Sequence, residues 1–133
     1  MLHFSIGLSI FALVWVRIAA RLASGPVPAI TPAPPVLPQK VAKLAHWALY
    51  GLMIAMPIGG ILSLGFAGDP IPWFGLFEFQ LPIAENQDYA ELFEDLHETG
   101  CTIGYFLIGL HAIAGLYHHD FLRDDTLKRM FPG

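Results

Sequence analysis

His97-Glu-Thr-Gly-Cys-Thr-Ile-Gly104-Tyr-Phe-Leu-Ile-Gly-Leu-His111-Ala-Ile-Ala-Gly-Leu-Tyr-His118-His119 is the stretch on which the reading of this chain turns. From Thr99 to His119 it holds no Asp, Glu, Lys or Arg. A bilayer core of ~30 Å needs about 20 mostly apolar residues in a helix, and this run meets that length. Within it His97, Gly104, His111 and His118 recur every seventh residue, so on a helix they share one face, drifting by about 20° per heptad. At a rise of 1.5 Å per residue, His97 and His111 stand ~21 Å apart along the axis. Ionisable side chains inside a membrane are costly and mark function. Two imidazoles on one face at two depths are what two stacked haems require when each takes one axial ligand from a single helix. Gly104, midway on the stripe, leaves room for a flat macrocycle or another helix. A mobile proton relay would not need such regular spacing.

Working outward, the rest of the chain is as apolar. Of 133 residues, 55% are hydrophobic and 14% charged, against about 25% charged in an ordinary soluble domain. Such a chain cannot cover itself with a polar surface, which excludes a soluble enzyme and a disordered tail. Seven Lys and Arg against eleven Asp and Glu leave no basic footprint for nucleic acid. One cysteine excludes an internal disulfide and any CxxC motif. The length allows a single domain over 1–133. The uncharged runs predict an all-α membrane protein with three transmembrane helices, at about 2–22, 42–66 and 96–119. Pro57, close to Gly59 and Gly60, predicts a kink in the second. The first run is no signal peptide by pattern, because Arg17 and Arg21 follow its apolar stretch instead of preceding it.

Charge sets the topology. Arg17, Arg21, Lys40, Lys43, Arg123, Lys128 and Arg129 all lie between helices one and two, at their facing ends, or after helix three. The connection between helices two and three has no Lys or Arg but carries Asp69, Glu78, Glu85, Asp88, Glu91, Glu94 and Asp95. The positive-inside rule then puts the Pro-rich linker 23–41 and the C-terminus in the cytoplasm, and the acidic segment 67–95 outside. That outer segment reads as an interfacial stretch around Trp73, Phe74, Phe77 and Phe79, followed by a short acidic helix over Asp88–Leu96.

A second ligand for the outer haem must come from another helix at matching depth. His3 opens helix one where His97 opens helix three, so this pair can sandwich one iron. His111 also needs a partner. His46 lies in the inner half of helix two, but only three residues from Lys43 it reads as shallower than His111; interfacial, quinone-contacting and haem-ligating roles all remain open for it. His118 and His119 close helix three, where histidines commonly meet the helix dipole; His118, still on the stripe, is also a candidate for a quinone site. Arg17 and Arg21 are topology anchors first. Gly100 and Gly104 form a GxxxG helix-contact motif, and Cys101 reads as inert packing.

These residues resemble the bacterial cytochrome b561 family, and in detail its superoxide oxidase type. The likeness rests on Asp95-Leu-His97 through His118-His119-Asp120, on Met1-Leu-His3, on Ala45-His46…Tyr50…Met56-Pro57, on Pro72-Trp73-Phe74 and on Asp125-Thr-Leu-Lys-Arg-Met130. It implies that the three spans correspond to helices two to four of an up-down four-helix bundle holding two b haems. His3 and His97 match the ligands of the outer haem, His111 matches one ligand of the inner haem, and His46 and His118 match histidines of the inner-haem and quinone region. Family members begin with a further helix whose histidine is the other inner ligand, so the chain is expected to be a fragment lacking that helix. The implied function is electron transfer from a periplasmic donor, superoxide for this type, to ubiquinone, in a multi-pass protein of the bacterial inner membrane with lipid around it. The implied enzyme is a superoxide:ubiquinone oxidoreductase. Three alternatives remain from the sequence: a cytochrome b subunit linking a partner dehydrogenase to the quinone pool, a truncated non-catalytic membrane remnant, and a proton or metal transporter using the histidines as a relay.

Overall fold

The computed structural model describes residues 2–25 and 35–124. Its elements, in chain order, are α1 (Leu2–Ala23), α2 (Val36–Ala67), a hairpin of β1 (Ile71–Trp73) and β2 (Phe77–Phe79), and α3 (Gln87–Asp120). All three helices are long and apolar enough to cross a membrane. The protein is therefore an all-α membrane fold with a small β-hairpin between its second and third spans. Few side chains are buried: Val14, Ile71 and Ala90 are the buried hydrophobics among the described residues, while Leu13, Val16, Leu110 and Ile113 face outward. An outward apolar surface is expected where lipid, not water, surrounds the bundle.

α2 is the middle helix, packing against α1 on one side and more extensively against α3 on the other. Small residues set the α2–α3 approach. A Cβ at Gly100 would overlap the Met56 thioether, and one at Gly104 would stand 3.5 Å from Leu52 Cδ2, so the GxxxG stripe of α3 is the seam with α2. Pro57 lies inside α2, where it removes one backbone donor from the helix ladder.

The helix ends follow their local chemistry. α2 stops at Gly68, whose φ of 77° suits a residue without Cβ, and the Asp69 N–H closes the turn onto Leu64 O at 3.0 Å. α3 starts at Asn86, whose Oδ1 accepts from the Tyr89 N–H at 3.1 Å, a standard N-cap bond. Asp88 in the first turn complements the dipole.

Three boundaries differ from the sequence expectation. α2 begins at Val36, not near 42, because Pro38 falls in its first turn, where the missing N–H has no helical partner to lose. The acidic stretch 88–96 is no separate helix but the first turns of α3. The aromatic stretch around Trp73 pairs as a hairpin, with Ile71 opposite Phe79 and Trp73 opposite Phe77. Its turn has positive φ at Phe74 (50°) and Gly75 (70°) and is closed by Leu76 N–H to Trp73 O at 3.0 Å, the features of a type I′ turn. The Phe74 N–H donates to Ser5 Oγ at 2.7 Å, which ties the hairpin to α1. Of the Pro-rich linker, residues 26–34 lie outside the described residues, as does the 125–130 stretch that resembles the family's tail.

The segment between β2 and α3 folds back over α2 at Gly65. A Cβ there would sit 2.5 Å from Leu81 Cδ1 and 3.2 Å from Leu81 Cβ. Gly65→Ala is accordingly expected to cost about 1–3 kcal/mol of stability through overpacking, read as an earlier denaturant midpoint in detergent with no change in helix content.

Candidate haem sites

His3, in the first turn of α1, and His97, one-third of the way along α3, come together: their ring centroids are 5.8 Å apart with planes at 76°. The chain holds His97 in one tautomer. Its Nδ1–H donates to the Met56 carbonyl at 2.8 Å, and since a carbonyl only accepts, the proton lies on Nδ1 and Nε2 keeps the lone pair. Gly59 and Gly60 make room for the ring: a Cβ at Gly60 would stand 3.3 Å from His97 Cε1 and 3.4 Å from Nδ1. The Pro57-Ile-Gly-Gly stretch of α2 thus forms the wall on which His97 rests.

His46 of α2 and His111 of α3 form a second pair, with centroids 5.3 Å apart and planes at 71°. The expectation that His46 is shallower than His111 does not hold. Lys43 is not at the end of α2, which continues down to Val36, so the lysine's position says nothing about the depth of His46. Arg17 lies fourteen residues along α1 from His3, at the level of this second pair. Its Nε donates to Tyr50 Oη at 3.0 Å, and its guanidinium carbon is 6.0 Å from the Tyr50 ring centroid.

His118 stands apart from both pairs. Its Nδ1 bonds to Asp124 Oδ2 at 2.5 Å, with the carboxylate side chain only 5% exposed and the histidine 24%. Adjacent His119 has a buried Nδ1 with no hydrogen-bond partner among the described residues. Arg21 caps the end of α1 through a 3.1 Å bond to Gly25 O.

Beside the His3–His97 pair lies a cavity of about 460 Å3 between α1, α2 and α3, walled by Leu8, Ile61, Leu64 and Ile71, with the carboxylates of Asp69, Glu94 and Glu98 on its lining. An apolar groove of α2 and α3 residues, including Leu52, Ile103 and Gly100, runs past the other side of His97.

The family model described as "Prokaryotic cytochrome b561" matches residues 1–133. The chain belongs to the cytochrome b561 family. Among its relatives, a protein of Yersinia pestis named probable superoxide oxidase CybB is 42% identical over 134 aligned positions, covering 99% of this chain and 74% of that one. Cytochrome b561 homolog 1 of Escherichia coli K12 is 35% identical, covering 98% and 73%, and cytochrome b561 homolog 2 of the same organism is 33% identical, covering 97% and 68%. This is therefore a membrane haem protein of electron transfer, and b-type haem is the cofactor its family implies.

The histidine pairs of this b561 chain suit such a group. Two imidazoles on opposite sides of one metal, with metal–nitrogen bonds of about 2 Å, set their ring centroids on the order of 6 Å apart, close to the 5.8 Å of the first pair. Among the described residues no three His, Cys, Asp or Glu side chains cluster as a metal site. Two donors per level are too few for a protein-only site of the zinc type and enough for a haem, whose porphyrin brings its own four nitrogens. The Nδ1–carbonyl bond of His97 is of the kind that, around a metal, orients a ligating imidazole and raises its basicity.

The spacing of histidines along α3 was readable in the sequence. The Met56 carbonyl, the Ser5–Phe74 bond and the His118–Asp124 pair were not. The only signal for the first was Pro57 beside two glycines, and no spacing rule links Asp124, beyond the helix, to His118 within it.

Proposed function

We propose that this protein is a di-haem electron carrier in which His3 and His97 hold one b haem, and His46 and His111 hold the second. It takes electrons from superoxide on the outer side and delivers them to ubiquinone near the inner end of the bundle. The observation that carries this reading is the double pairing: two facing imidazoles at each of two levels, ~21 Å apart along α3. The relative named probable superoxide oxidase supports the donor, and the one-sided distribution of all seven cations supports a bacterial inner-membrane orientation with the C-terminus cytoplasmic.

Bound haem supplies reversible one-electron chemistry at each level. The chain's own residues do the rest. His97, fixed by Met56, presents Nε2 in one orientation, so the ligand need not be reordered between redox states. His3 closes the site from α1, whose register Ser5 and the hairpin hold. Leu8, Ile61, Leu64 and Ile71 give the cavity beside the first pair an apolar wall, and Arg17 with Tyr50 puts a positive charge near the second.

The decisive test is a reduced-minus-oxidised spectrum with a haem assay on the purified chain. The expected result is a b-type α band and two haems per chain; absence of the band overturns the reading.

Asp69, Glu94 and Glu98 give the first cavity a negative field, which slows an anionic donor. Added salt screens that field, so superoxide-dependent ubiquinone reduction is expected to rise as ionic strength goes from about 0.01 to 0.15 M, and Glu94→Gln with Glu98→Gln to flatten the dependence. A fall with salt in the wild type would show that these carboxylates do not govern the donor's approach. The same carboxylates speak for a second reading, a subunit receiving electrons from a partner protein with a basic face, whose electron delivery would fall with salt.

A further inference from the structure

We propose that Arg17, aimed by Tyr50, is the cation that pairs with a carboxylate of the second haem, and so selects a porphyrin with free propionates at the level of His46 and His111. This rests on the reading above that the second pair holds haem b. The imidazoles of that level are neutral as iron ligands. Haem b brings two carboxylates with it, and inside a membrane an anion needs a cation or a wet surface.

Arg17 meets that need by register. α1 and α3 both run antiparallel to α2, since His3 and His97 meet near Gly60, whereas Arg17 and His111 meet Tyr50 and His46. Arg17 lies fourteen residues past His3, as His111 lies fourteen past His97, so each stands ~21 Å further along its helix. Over two heptads the drift is about 40°, which keeps Arg17 on the side of α1 that His3 turns towards His97. On α2, Tyr50 follows His46 by one turn on the same face. The Arg17 Nε donates to Tyr50 Oη at 3.0 Å, which holds the guanidinium against that face.

The charge is not spent on ending the helix. Arg21, one turn on, does that through its bond to Gly25 O. Arg17 is six residues short of Ala23, ~9 Å inside α1. A charge held there is costly unless it is paired, yet its partners among the described residues are the neutral hydroxyl and ring of Tyr50. With Nε committed to Tyr50, both terminal nitrogens remain to grip a carboxylate, the fork geometry in which arginine pairs most strongly. The first level is built the other way: its cavity is lined by Asp69, Glu94 and Glu98 and by no Lys or Arg. The pairing therefore belongs to the second level alone.

The test follows haem release from the purified haem-loaded chain to excess apomyoglobin, a protein that traps free haem. The two levels are told apart with His97→Ala and His111→Ala, expected to keep only the second and only the first haem. Arg17→Gln is expected to speed release from the second level about 10-fold or more, the loss of a hydrogen-bonded charge pair, and to leave the first level unchanged. Arg17→Lys should recover part of the retention, and Tyr50→Phe should speed release by a smaller factor. First-level haem retained in Arg17→Gln shows that the variant is folded. A further measurement needs no substitution: haem in the wild-type chain is exchanged for its dimethyl ester, whose carboxylates are blocked. The ester is expected to leave the second level as fast as haem b leaves Arg17→Gln, and at one rate with or without Arg17. Wild-type release in Arg17→Gln overturns the pairing, as does an ester held as tightly as haem b. Arg17→Gln that speeds release of the ester too assigns Arg17 a merely structural role and also overturns it. A wild-type chain holding haem at the first level alone overturns the reading of the second pair itself, a result distinct from these.

Discussion

His97→Ala is expected to remove one of two haems per chain and leave the other. His97 is held by the Met56 carbonyl and faces His3 across 5.8 Å, so its loss would take a donor nitrogen whose orientation the backbone fixes. Loss of an outer partner alone typically costs 10–100-fold in metal affinity, and loss of the ligand itself costs more, enough to empty the site during purification. Alanine leaves an imidazole-sized space bounded by Gly59 and Gly60. Free imidazole added during haem loading is therefore expected to restore the missing half of the α-band absorbance, which a purely structural histidine would not show. A chain that keeps two haems with unchanged spectrum after His97→Ala would sink the assignment. Gly60→Ala is the milder companion: a methyl 3.3 Å from His97 Cε1 forces the ring to shift by a few tenths of an ångström, and the expected result is a shifted midpoint potential with haem retained.

Most of this was legible because membrane sequence has few ways to be satisfied. An uncharged run of 20 residues becomes a helix, since lipid offers its backbone no hydrogen bonds, and the heptad spacing of His97, Gly104 and His111 survives any small error in the helix ends. What the spacing cannot give is relative depth between helices. That is why His46 read as too shallow: Lys43 looked like the end of α2, whereas the helix runs on through Lys40 and Pro38 to Val36. The hairpin was missed for a related reason. Its strands are three residues each, too short for alternation to show. Its turn depends on Phe74 at positive φ, a conformation unfavourable for a bulky residue and held here by a side chain 69 positions away, Ser5. Long-range hydrogen bonds leave no local trace, and the sequence had none to offer for Met56 or Asp124.

His111→Ala is expected to remove the second haem and, unlike any change at the first site, to leave reduction by superoxide intact while stopping ubiquinone reduction. Among the described residues the two levels share no hydrogen-bond partner, and at ~21 Å apart their substitutions should act independently: His97→Ala and His111→Ala are each expected to leave one haem, and the double variant none. His46→Ala is expected to match His111→Ala in haem count, because the 5.3 Å approach of the two rings makes His46 the imidazole opposite His111 in this chain. Two haems retained in His46→Ala would remove it from the ligand set and return it to the quinone region. The functional split follows from the geometry. With the second level empty, an electron entering at His3 and His97 has no carrier between there and the inner end of the bundle. The remaining haem should then become fully reduced under superoxide and stay so when ubiquinone is added. Wild-type quinone turnover in a His111→Ala chain that holds one haem would mean that ubiquinone is reduced at the first level, and would overturn transfer from the first level to the second.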